Sequence, residues 1–195
     1  MSLVDFLTVL RSVRTDRQIV VPTMGAAREW MVLGQHPLDF VYAPSAMGEA
    51  PSLGLGLALA QPRRQVIVLN GDGCQLMNLG CLVTISSLEA TNLVLILCNN
   101  GAYEVTGGQA TAATPEFRPV GRPVNFAAIA RGCGWNSVHD YHDADKWRKE
   151  VAQVLSATGP TLVVWHVPPI PGGAVPKSPA PAVRRAIDFS LALQQ

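Results

Sequence analysis

The sequence predicts an α/β fold in which a doubly wound, mostly parallel sheet carries helices on both faces. Short apolar runs of strand length alternate with longer segments whose apolar residues recur at helical spacing. The two clearest strands, Val66–Leu69 and Leu93–Leu97, are apolar throughout, as is typical of parallel strands buried on both sides. In such sheets ligands bind at the carboxyl ends of the strands, so we expect the functional site there.

Five elements are predicted before the first of these strands. Apolar residues at helical spacing predict a helix over 4–13, and a short apolar run predicts a buried strand over 17–21. A glycine turn leads into a helix over 26–33, and a second strand over 39–42 ends in another glycine-containing turn. The helix over 49–60 consists largely of Leu, Ala and Gly, and such small residues allow close packing.

The middle of the chain holds the two strongly apolar strands, predicted over 65–70 and 92–98, with a helix over 76–88 between them. The stretch 101–124 is rich in Gly, Thr and Pro and has little apolar periodicity, so we predict a long loop. Loops of this length in compact domains are often functional.

The remaining third of the chain shows the same alternation up to a tail, 168–181, that is too rich in proline for regular structure. The predicted elements are a helix over 126–131, a strand over 135–138, a helix over 144–157, a strand over 161–167 and a terminal amphipathic helix over 182–193.

Composition narrows the class of protein. The chain has 195 residues, enough for one domain with a real core, and only 15% of them are charged. A surface with so few charged residues is typical of a subunit that buries much of itself against partners. A net charge of +1 without a basic run gives no electrostatic support for nucleic-acid binding. We find no signal peptide and no apolar run that could span a bilayer, and we expect a cytoplasmic protein with reduced cysteines.

Two polar clusters stand at the ends of the two apolar strands. Gly71-Asp72-Gly73 follows the first strand, and Asn99-Asn100 follows the second. A carboxylate and a carboxamide at neighbouring strand ends can share Mg²⁺, which prefers oxygen ligands. The glycines can also open a helix whose first N–H groups bind a diphosphate. Alone, Gly-Asp-Gly is more often a plain turn in which the aspartate caps the helix.

The joint pattern resembles the fingerprint of thiamine-diphosphate enzymes, GDG followed at a distance by NN. The segments YAPSAMGEAPSLGLGLALA, NGDGCQLMNLGCLVTI and CNNGAYEVTGGQ are similar to the β-subunit or C-terminal half of sulfopyruvate and phosphonopyruvate decarboxylases. With the helix that begins at Phe126, the resemblance covers roughly residues 20–135. It implies the thiamine-diphosphate-binding fold, with thiamine diphosphate and Mg²⁺ as cofactors.

The resemblance also implies a set of site residues. Asp72 and Asn100 would ligate the metal by their side chains, and Ala102 by its backbone carbonyl. Met47 would support the bent cofactor, although an ordinary core methionine is the simpler interpretation of that residue alone. The implied cofactor-binding positions are Thr23, Gly25, Ser45, Met47, Gly71, Gly73, Cys74, Ala102 and Tyr103.

The sequence departs from the family at the first phosphate loop, which reads T-G-x-T-x-R-E in relatives. Met24 stands in place of a glycine, and Ala26 in place of a hydroxyl residue. Glu49 and Glu104 add negative charge, and no Lys or Arg lies in 101–109. Glu49 also fits as an acid in the first turn of a helix. We therefore predict a small 2-keto acid substrate without specifying its tail.

In this family the catalytic glutamate comes from a separate pyrimidine-binding domain. We divide this chain into one diphosphate-binding domain, 1–168, and a Pro-rich tail with a terminal helix, 169–195. The resemblance then implies an α-type pyrimidine-domain subunit that supplies the glutamate, in a homo- or hetero-oligomer. The predicted function is the thiamine-diphosphate and Mg²⁺-binding subunit of a 2-keto acid decarboxylase. Alternatives are a subunit of another thiamine-dependent lyase or carboligase, and a non-catalytic binding protein that keeps the fold.

Histidines contribute little to this interpretation. His139 and His142 lie among aspartates and suggest a metal site, but no predicted strand or helix places a third ligand beside them. We predict a solvated loop there. His166 lies in the last apolar run and is predicted to be a core or strand-end residue.

Overall fold

The predicted fold class is confirmed by the computed structural model, which describes residues 2–115 and 121–195. Five parallel strands form one sheet in the order β1-β2-β3-β7-β6, and two short strands form an antiparallel hairpin, β4–β5. The strands are Ile19–Pro22 (β1), Val66–Gly71 (β2), Leu93–Asn99 (β3), Ala102–Tyr103 (β4), Gln109–Ala110 (β5), Ser137–Tyr141 (β6) and Thr161–His166 (β7).

Helices cover both faces of the sheet, because its central strands are apolar on both sides. Strand residues alternate between the two cores: Val66 and Val68 face one, and Ile67 and Leu69 face the other. The helices are Leu3–Val13 (α1), Met24–Val32 (α2), Ala50–Ala60 (α3), Asp72–Met77 (α4), Cys81–Ser87 (α5), Phe126–Gly132 (α6), Ala144–Ser156 (α7) and Ala182–Ala192 (α8).

The helix predicted over 76–88 is wrong as a single element. The structure has α4 and α5 instead, separated by residues 78–80, and α4 begins directly at Asp72. Gly80 has low helix propensity, and Asn78 leaves the helical conformation with φ −145° and ψ 65°. The side-chain amide of Gln75 donates to the Asn78 carbonyl at 3.1 Å, which replaces the helical bond lost there.

The prediction of a regular strand over 39–42 is also wrong. Only isolated bridges join Asp39 to Val20 and Tyr42 to Thr23, on the outer side of β1. The N–H groups of Phe40 and Tyr42 donate to β1, but Pro22 in β1 has no N–H to return. The segment therefore runs beside the sheet as an irregular edge.

The strand predicted over 135–138 lies two or three residues later, as β6. Trp135 instead lies in the turn after α6, where its backbone N–H donates to the Ala130 carbonyl at 3.1 Å and its indole N–H donates to the Leu82 carbonyl at 2.9 Å. The long loop predicted over 101–124 contains the β4–β5 hairpin and a 3₁₀ turn at Glu104–Thr106, and its residues 116–120 lie outside the described part.

The tail leads into α8, which packs against the irregular edge. Phe189 is buried, with its ring 5.0 Å from that of Phe40, and the Arg185 guanidinium donates to the Val41 carbonyl. None of the helices among residues 2–115 and 121–195 is long and apolar enough to cross a membrane. The cysteines are free thiols. The division at residue 168 remains a prediction.

Candidate functional site

A cavity lies where β1, β2 and β3 end, and we call it the strand-end cavity. It gathers all the sequence-predicted site residues except Ser45. The lining consists of Leu3, Thr23, Met24, Gly25, Ala26, Met47, Gly71, Asp72, Gly73, Cys74, Cys98, Asn100, Ala102, Tyr103, Glu104, Val105 and Thr106. Ser45 lies one contact away, since its hydroxyl is 3.2 Å from the Met24 sulfur.

Asp72 is the only aspartate in this lining, and it is 1% exposed. Its Oδ2 accepts hydrogen bonds from the Gly101 N–H at 3.2 Å and the Thr111 hydroxyl at 3.3 Å. Burial raises the pKa of this carboxyl to about 6, and hydrogen bonds from Gly73, Thr111 and Asn100 only partly offset that effect. Among the residues that the structure describes, no cationic side chain pairs with it.

The sheet register explains why the two polar clusters meet. Gly71 pairs with Cys98 across β2 and β3, so Asp72 and Asn100 leave the sheet at the same edge. The Asn100 side-chain oxygen accepts from the Ala102 N–H at 2.9 Å and shapes the turn into β4. Carboxylate, carboxamide and backbone carbonyl oxygens thus lie beside one cavity, and oxygen donors of this kind fit Mg²⁺.

The glycines of this site leave room around the backbone. A Cβ at Gly71 would meet no atom within 4 Å, whereas a Cβ at Gly73 would lie 2.5 Å from the Tyr103 ring. Tyr103 therefore packs directly on the first turn of α4. Together, Gly71 and Gly73 let a ligand and an aromatic ring approach the start of this helix, where N–H groups favour anions.

The first phosphate loop has an unusual backbone. Met24 has φ +48°, a left-handed conformation that favours glycine, the residue that the family pattern T-G-x-T-x-R-E has at this position. Thr23 donates its hydroxyl hydrogen to the Leu69 carbonyl at 3.0 Å, so that group ties α2 to β2. Its oxygen keeps acceptor capacity but has no second hydrogen to donate.

Met47 is not a core residue. It lines the strand-end cavity and is 41% exposed, so the interpretation as an ordinary core methionine is wrong. Met77 is near Met47 and is 49% exposed. Its Cβ lies 3.3 Å from the place that a Cβ would take at Gly48, the residue after Met47. Met47 thus lines the cavity, and Met77 lies beside Gly48.

The two acids singled out in the sequence behave differently. Glu49 occupies the N-cap position of α3 without a capping hydrogen bond from its side chain, so it is not an acid of the first turn; it is exposed, with its carboxylate 3.3 Å from the Asn78 amide. Glu104 lines the cavity and its side chain is only 7% exposed. It accepts from the Ile170 N–H at 2.6 Å and lies 3.6 Å from the Arg28 guanidinium.

Sequence reasoning missed Thr111. This residue is fully buried, and its hydroxyl donates to Asp72. The only signal was its place in the loop after Gly107-Gly108-Gln109, which the β4–β5 hairpin folds back towards Asp72. The contact of Glu104 with the tail was missed as well, because it joins residues 66 positions apart.

Comparison with known proteins agrees with this geometry. The family model described as "Thiamine pyrophosphate enzyme, C-terminal TPP binding domain" matches residues 23–165. A phosphonopyruvate decarboxylase of Streptomyces viridochromogenes is 36% identical over 91% of this chain and 43% of its own length. The sulfopyruvate decarboxylase subunit beta of Methanothermobacter thermautotrophicus is 37% identical over 82% of this chain and 77% of its own length.

Solved structures share the fold. A thiamine diphosphate-dependent 4-hydroxybenzoylformate decarboxylase of Rhodococcus jostii RHA1 superposes with a TM-score of 0.67 at 20% identity, over 86% of this chain and 33% of that one. The chain thus spans less than half of the phosphonopyruvate decarboxylase and about a third of the solved relative, but most of the sulfopyruvate subunit beta.

Proposed function

The chain belongs to the thiamine pyrophosphate enzymes, through their C-terminal TPP-binding domain, and we propose that it is the thiamine-diphosphate and Mg²⁺-binding subunit of a 2-keto acid decarboxylase. The observation that carries the proposal is Asp72, a buried carboxylate without a cationic partner among the described residues. An uncompensated buried charge is costly unless a partner neutralises it. A divalent cation in the strand-end cavity would do so.

In this proposal Mg²⁺ is held by the side chains of Asp72 and Asn100 and by the carbonyl of Ala102. The diphosphate would bind at the start of α4, where Gly73 and Cys74 line the cavity. Thiamine diphosphate, when bound, supplies an electron sink for loss of CO₂ from a 2-keto acid.

The remaining residues of the chain orient the cofactor and exclude water. Met47, which lines the cavity, would support the cofactor, and Ser45 would contribute its backbone to holding the pyrimidine ring. Tyr103 packs on Gly73 and closes one side of the diphosphate site.

A second subunit is part of the proposal. Relatives of similar length are named subunit beta, which implies an alpha partner for those proteins. Here Met47 exposes apolar surface at the cavity and Met77 exposes more beside Gly48, as expected where a partner covers a site. We propose a pyrimidine-domain subunit that seats on this rim and supplies the catalytic glutamate.

The substrate is proposed to be a small 2-keto acid. Among the described residues, Arg28 approaches the cavity-lining Glu104, and its guanidinium already contacts Glu29, Glu104 and the Ala174 carbonyl. A substrate with a sulfonate or phosphonate tail would therefore take its countercharges from the partner subunit.

The test is calorimetric titration of the purified chain with thiamine diphosphate and Mg²⁺, alone and with the co-expressed pyrimidine-domain subunit. We expect saturable, Mg²⁺-dependent binding that tightens with the partner, and CO₂ release from sulfopyruvate, phosphonopyruvate or a simpler 2-keto acid. Asp72→Asn should abolish the Mg²⁺ dependence. Asp16→Asn, which removes the same charge at a fully exposed side chain, is the matched control.

One observation favours a second candidate, a non-catalytic binding protein of this fold. The Met24 side chain lines the cavity at a position that glycine occupies in relatives, so it takes space beside the diphosphate site. Absence of cofactor binding with every pyrimidine-domain partner would support this candidate. A product formed by joining two keto acids, in place of an aldehyde, would identify a carboligase instead.

A further inference from the structure

A second polar cluster lies at the carboxyl ends of β6 and β7, outside the strand-end cavity. Asp140 belongs to β6, His142 follows that strand directly, and His166 is the last residue of β7. One ligand atom from each of the three side chains lies within 4.8 Å of the other two. The prediction of a solvated loop without a third ligand is therefore wrong, because His139 and Asp140 lie in β6 and His166 lies beside His142.

The sheet register produces this cluster. Asp140 pairs with Val164 across the two parallel strands, so His142 and His166 come opposite each other two residues later. Side chains two positions apart share one face of a sheet. Asp140, His142 and His166 thus point to the same side, beyond the apolar layer formed by Val138 and Val164.

The contacts within the cluster are those of a ligand set. His166 Nε2 lies 2.6 Å from Asp140 Oδ1, and His142 Nε2 lies 3.9 Å from the same oxygen. The two imidazole rings face each other at 3.9 Å and 10°. Parallel, face-to-face rings are disfavoured by their quadrupoles, so Asp140 alone is a weak reason for His142 to adopt this position.

We propose that Asp140, His142 and His166 bind a divalent transition-metal ion of the Zn²⁺ type. Two imidazoles and one carboxylate are the protein ligands of many zinc sites, with a fourth position left to water. Imidazole ligands select Zn²⁺, Co²⁺ or Ni²⁺ over Mg²⁺, so this site differs chemically from the one at Asp72. A metal here would join the edge strand β6 to β7.

Asn99 supports the site from the neighbouring strand. Its side-chain amide lies 3.5 Å from His166 Nδ1, on the side of the ring opposite Asp140. A histidine that binds metal through Nε2 carries its proton on Nδ1 and donates it to an oxygen. The Asn99 side chain presents that oxygen when its amide group is rotated by about 180°. The oxygen and nitrogen of an asparagine amide are assigned from the hydrogen-bond network around them.

The test uses the full chain without an affinity tag, stripped of metal, in an Asp72→Asn background that removes the Mg²⁺ ligand. Titration with ZnCl₂ should show saturable binding of one ion. Asp140→Asn, His142→Ala and His166→Asn should each weaken binding at least about tenfold, the scale at which even supporting residues act. The visible spectrum of the Co²⁺ form should show a four- or five-coordinate ion without thiolate bands, and Cys133→Ser should leave it unchanged.

His139→Ala is the matched control, because His139 lies on the same strand but on the opposite face, stacked on Tyr141. It should bind Zn²⁺ like the parent. No saturable binding, equal loss in His139→Ala and His142→Ala, or binding that survives in a His142→Ala/His166→Asn double variant would overturn the proposal. The His142 side chain is 74% exposed, so His142→Ala is expected to fold. Its Zn²⁺ affinity therefore tests the proposal even if His166→Asn fails to fold.

Discussion

The carboxylate of Glu104 accepts a 2.6 Å hydrogen bond from the backbone N–H of Ile170. A side chain that lines the strand-end cavity thus also holds the start of the Pro-rich tail. Arg28 strengthens this junction, because its guanidinium lies 3.6 Å from Glu104 and donates to the Ala174 carbonyl at 3.1 Å. The tail, the loop after β3 and helix α2 therefore meet beside the proposed cofactor site.

Replacing Glu104 is expected to release the tail. Glu104→Ala leaves the Ile170 N–H without its acceptor and should cost about 1–3 kcal/mol of unfolding free energy, the usual cost of a lost buried partner. Glu104→Gln keeps an acceptor and should cost less. Hydrogen exchange at Ile170 should accelerate in the alanine variant and stay slower in the glutamine variant. Equal exchange in both variants and the parent would show that Glu104 does not hold the tail.

Asp72→Asn is expected to stabilise the metal-free chain at neutral pH. The pKa of Asp72 is raised from 3.8 to about 6, so the folded state binds its proton more tightly than the unfolded state. Below the pKa of the unfolded state, Asp72 is protonated in both states and does not lower the free energy of unfolding. Above about pH 6 it is ionised in both states and lowers the free energy of unfolding the most. That cost is about 3 kcal/mol for a shift of about two pKa units.

Urea denaturation as a function of pH checks this expectation. The unfolding free energies of Asp72→Asn and the parent should agree near pH 4 and diverge up to about pH 6, with the variant more stable. Mg²⁺ with thiamine diphosphate should stabilise the parent and leave the variant unchanged. A difference that does not vary with pH would contradict the assigned cause.

Much of the fold and of the strand-end cavity is predictable from local patterns. Val66–Leu69 and Leu93–Leu97 are apolar at every position, so their direction, their burial and the meeting of Asp72 with Asn100 follow from sequence. The helix break at 78–80 does not follow, because it depends on a side-chain bond from Gln75 to the backbone. Helix propensity is a weak guide where such a side-chain bond to the backbone decides.

Contacts between distant segments are what the sequence did not predict. His142 and His166 meet only because of the register between β6 and β7, and Thr111 reaches Asp72 only because of the β4–β5 hairpin. Neither contact produces a periodic pattern or a motif in the sequence. The strand predicted over 135–138 also missed the register, since its offset would place different side chains opposite β7.

Met24 offers a test of how far the first phosphate loop has departed from its relatives. Met24→Gly removes both the left-handed strain of φ +48° and the side chain that lines the cavity. We expect tighter binding of thiamine diphosphate in the presence of Mg²⁺. The variant should be as stable as the parent within about 1 kcal/mol, because the relieved strain offsets the greater freedom of glycine in the unfolded chain.

Met24→Ala separates the two effects, because it clears the cavity but keeps a Cβ at the same φ. It should bind the cofactor nearly as well as Met24→Gly does. Its free energy of unfolding should be about 1 kcal/mol lower than that of Met24→Gly. Cofactor titration and urea denaturation measure the two quantities independently. If neither variant binds more tightly than the parent, the methionine does not obstruct the site.

Arg14 and Asp39 form a buried ion pair that joins the end of α1 to the irregular edge of the sheet. The two groups approach to 2.6 Å, and their side chains are only 3% and 5% exposed. Arg14→Met leaves the Asp39 carboxylate buried, with Arg11 at 3.7 Å as its remaining cation. We expect a loss of about 3 kcal/mol, the low end for breaking such a pair, because Arg11 compensates in part.

The double variant Arg14→Met/Asp39→Asn removes both charges of the pair and should recover part of that loss, because the Arg11 side chain that then lacks its carboxylate is 25% exposed. Urea denaturation of the parent, the two single variants and the double variant gives the coupling energy between the residues. A coupling near zero would mean that Asp39 is neutralised by Arg11 or by water. A large coupling would establish that this pair, which lies outside the lining of the strand-end cavity, stabilises the attachment of the edge segment at Asp39 to the end of α1.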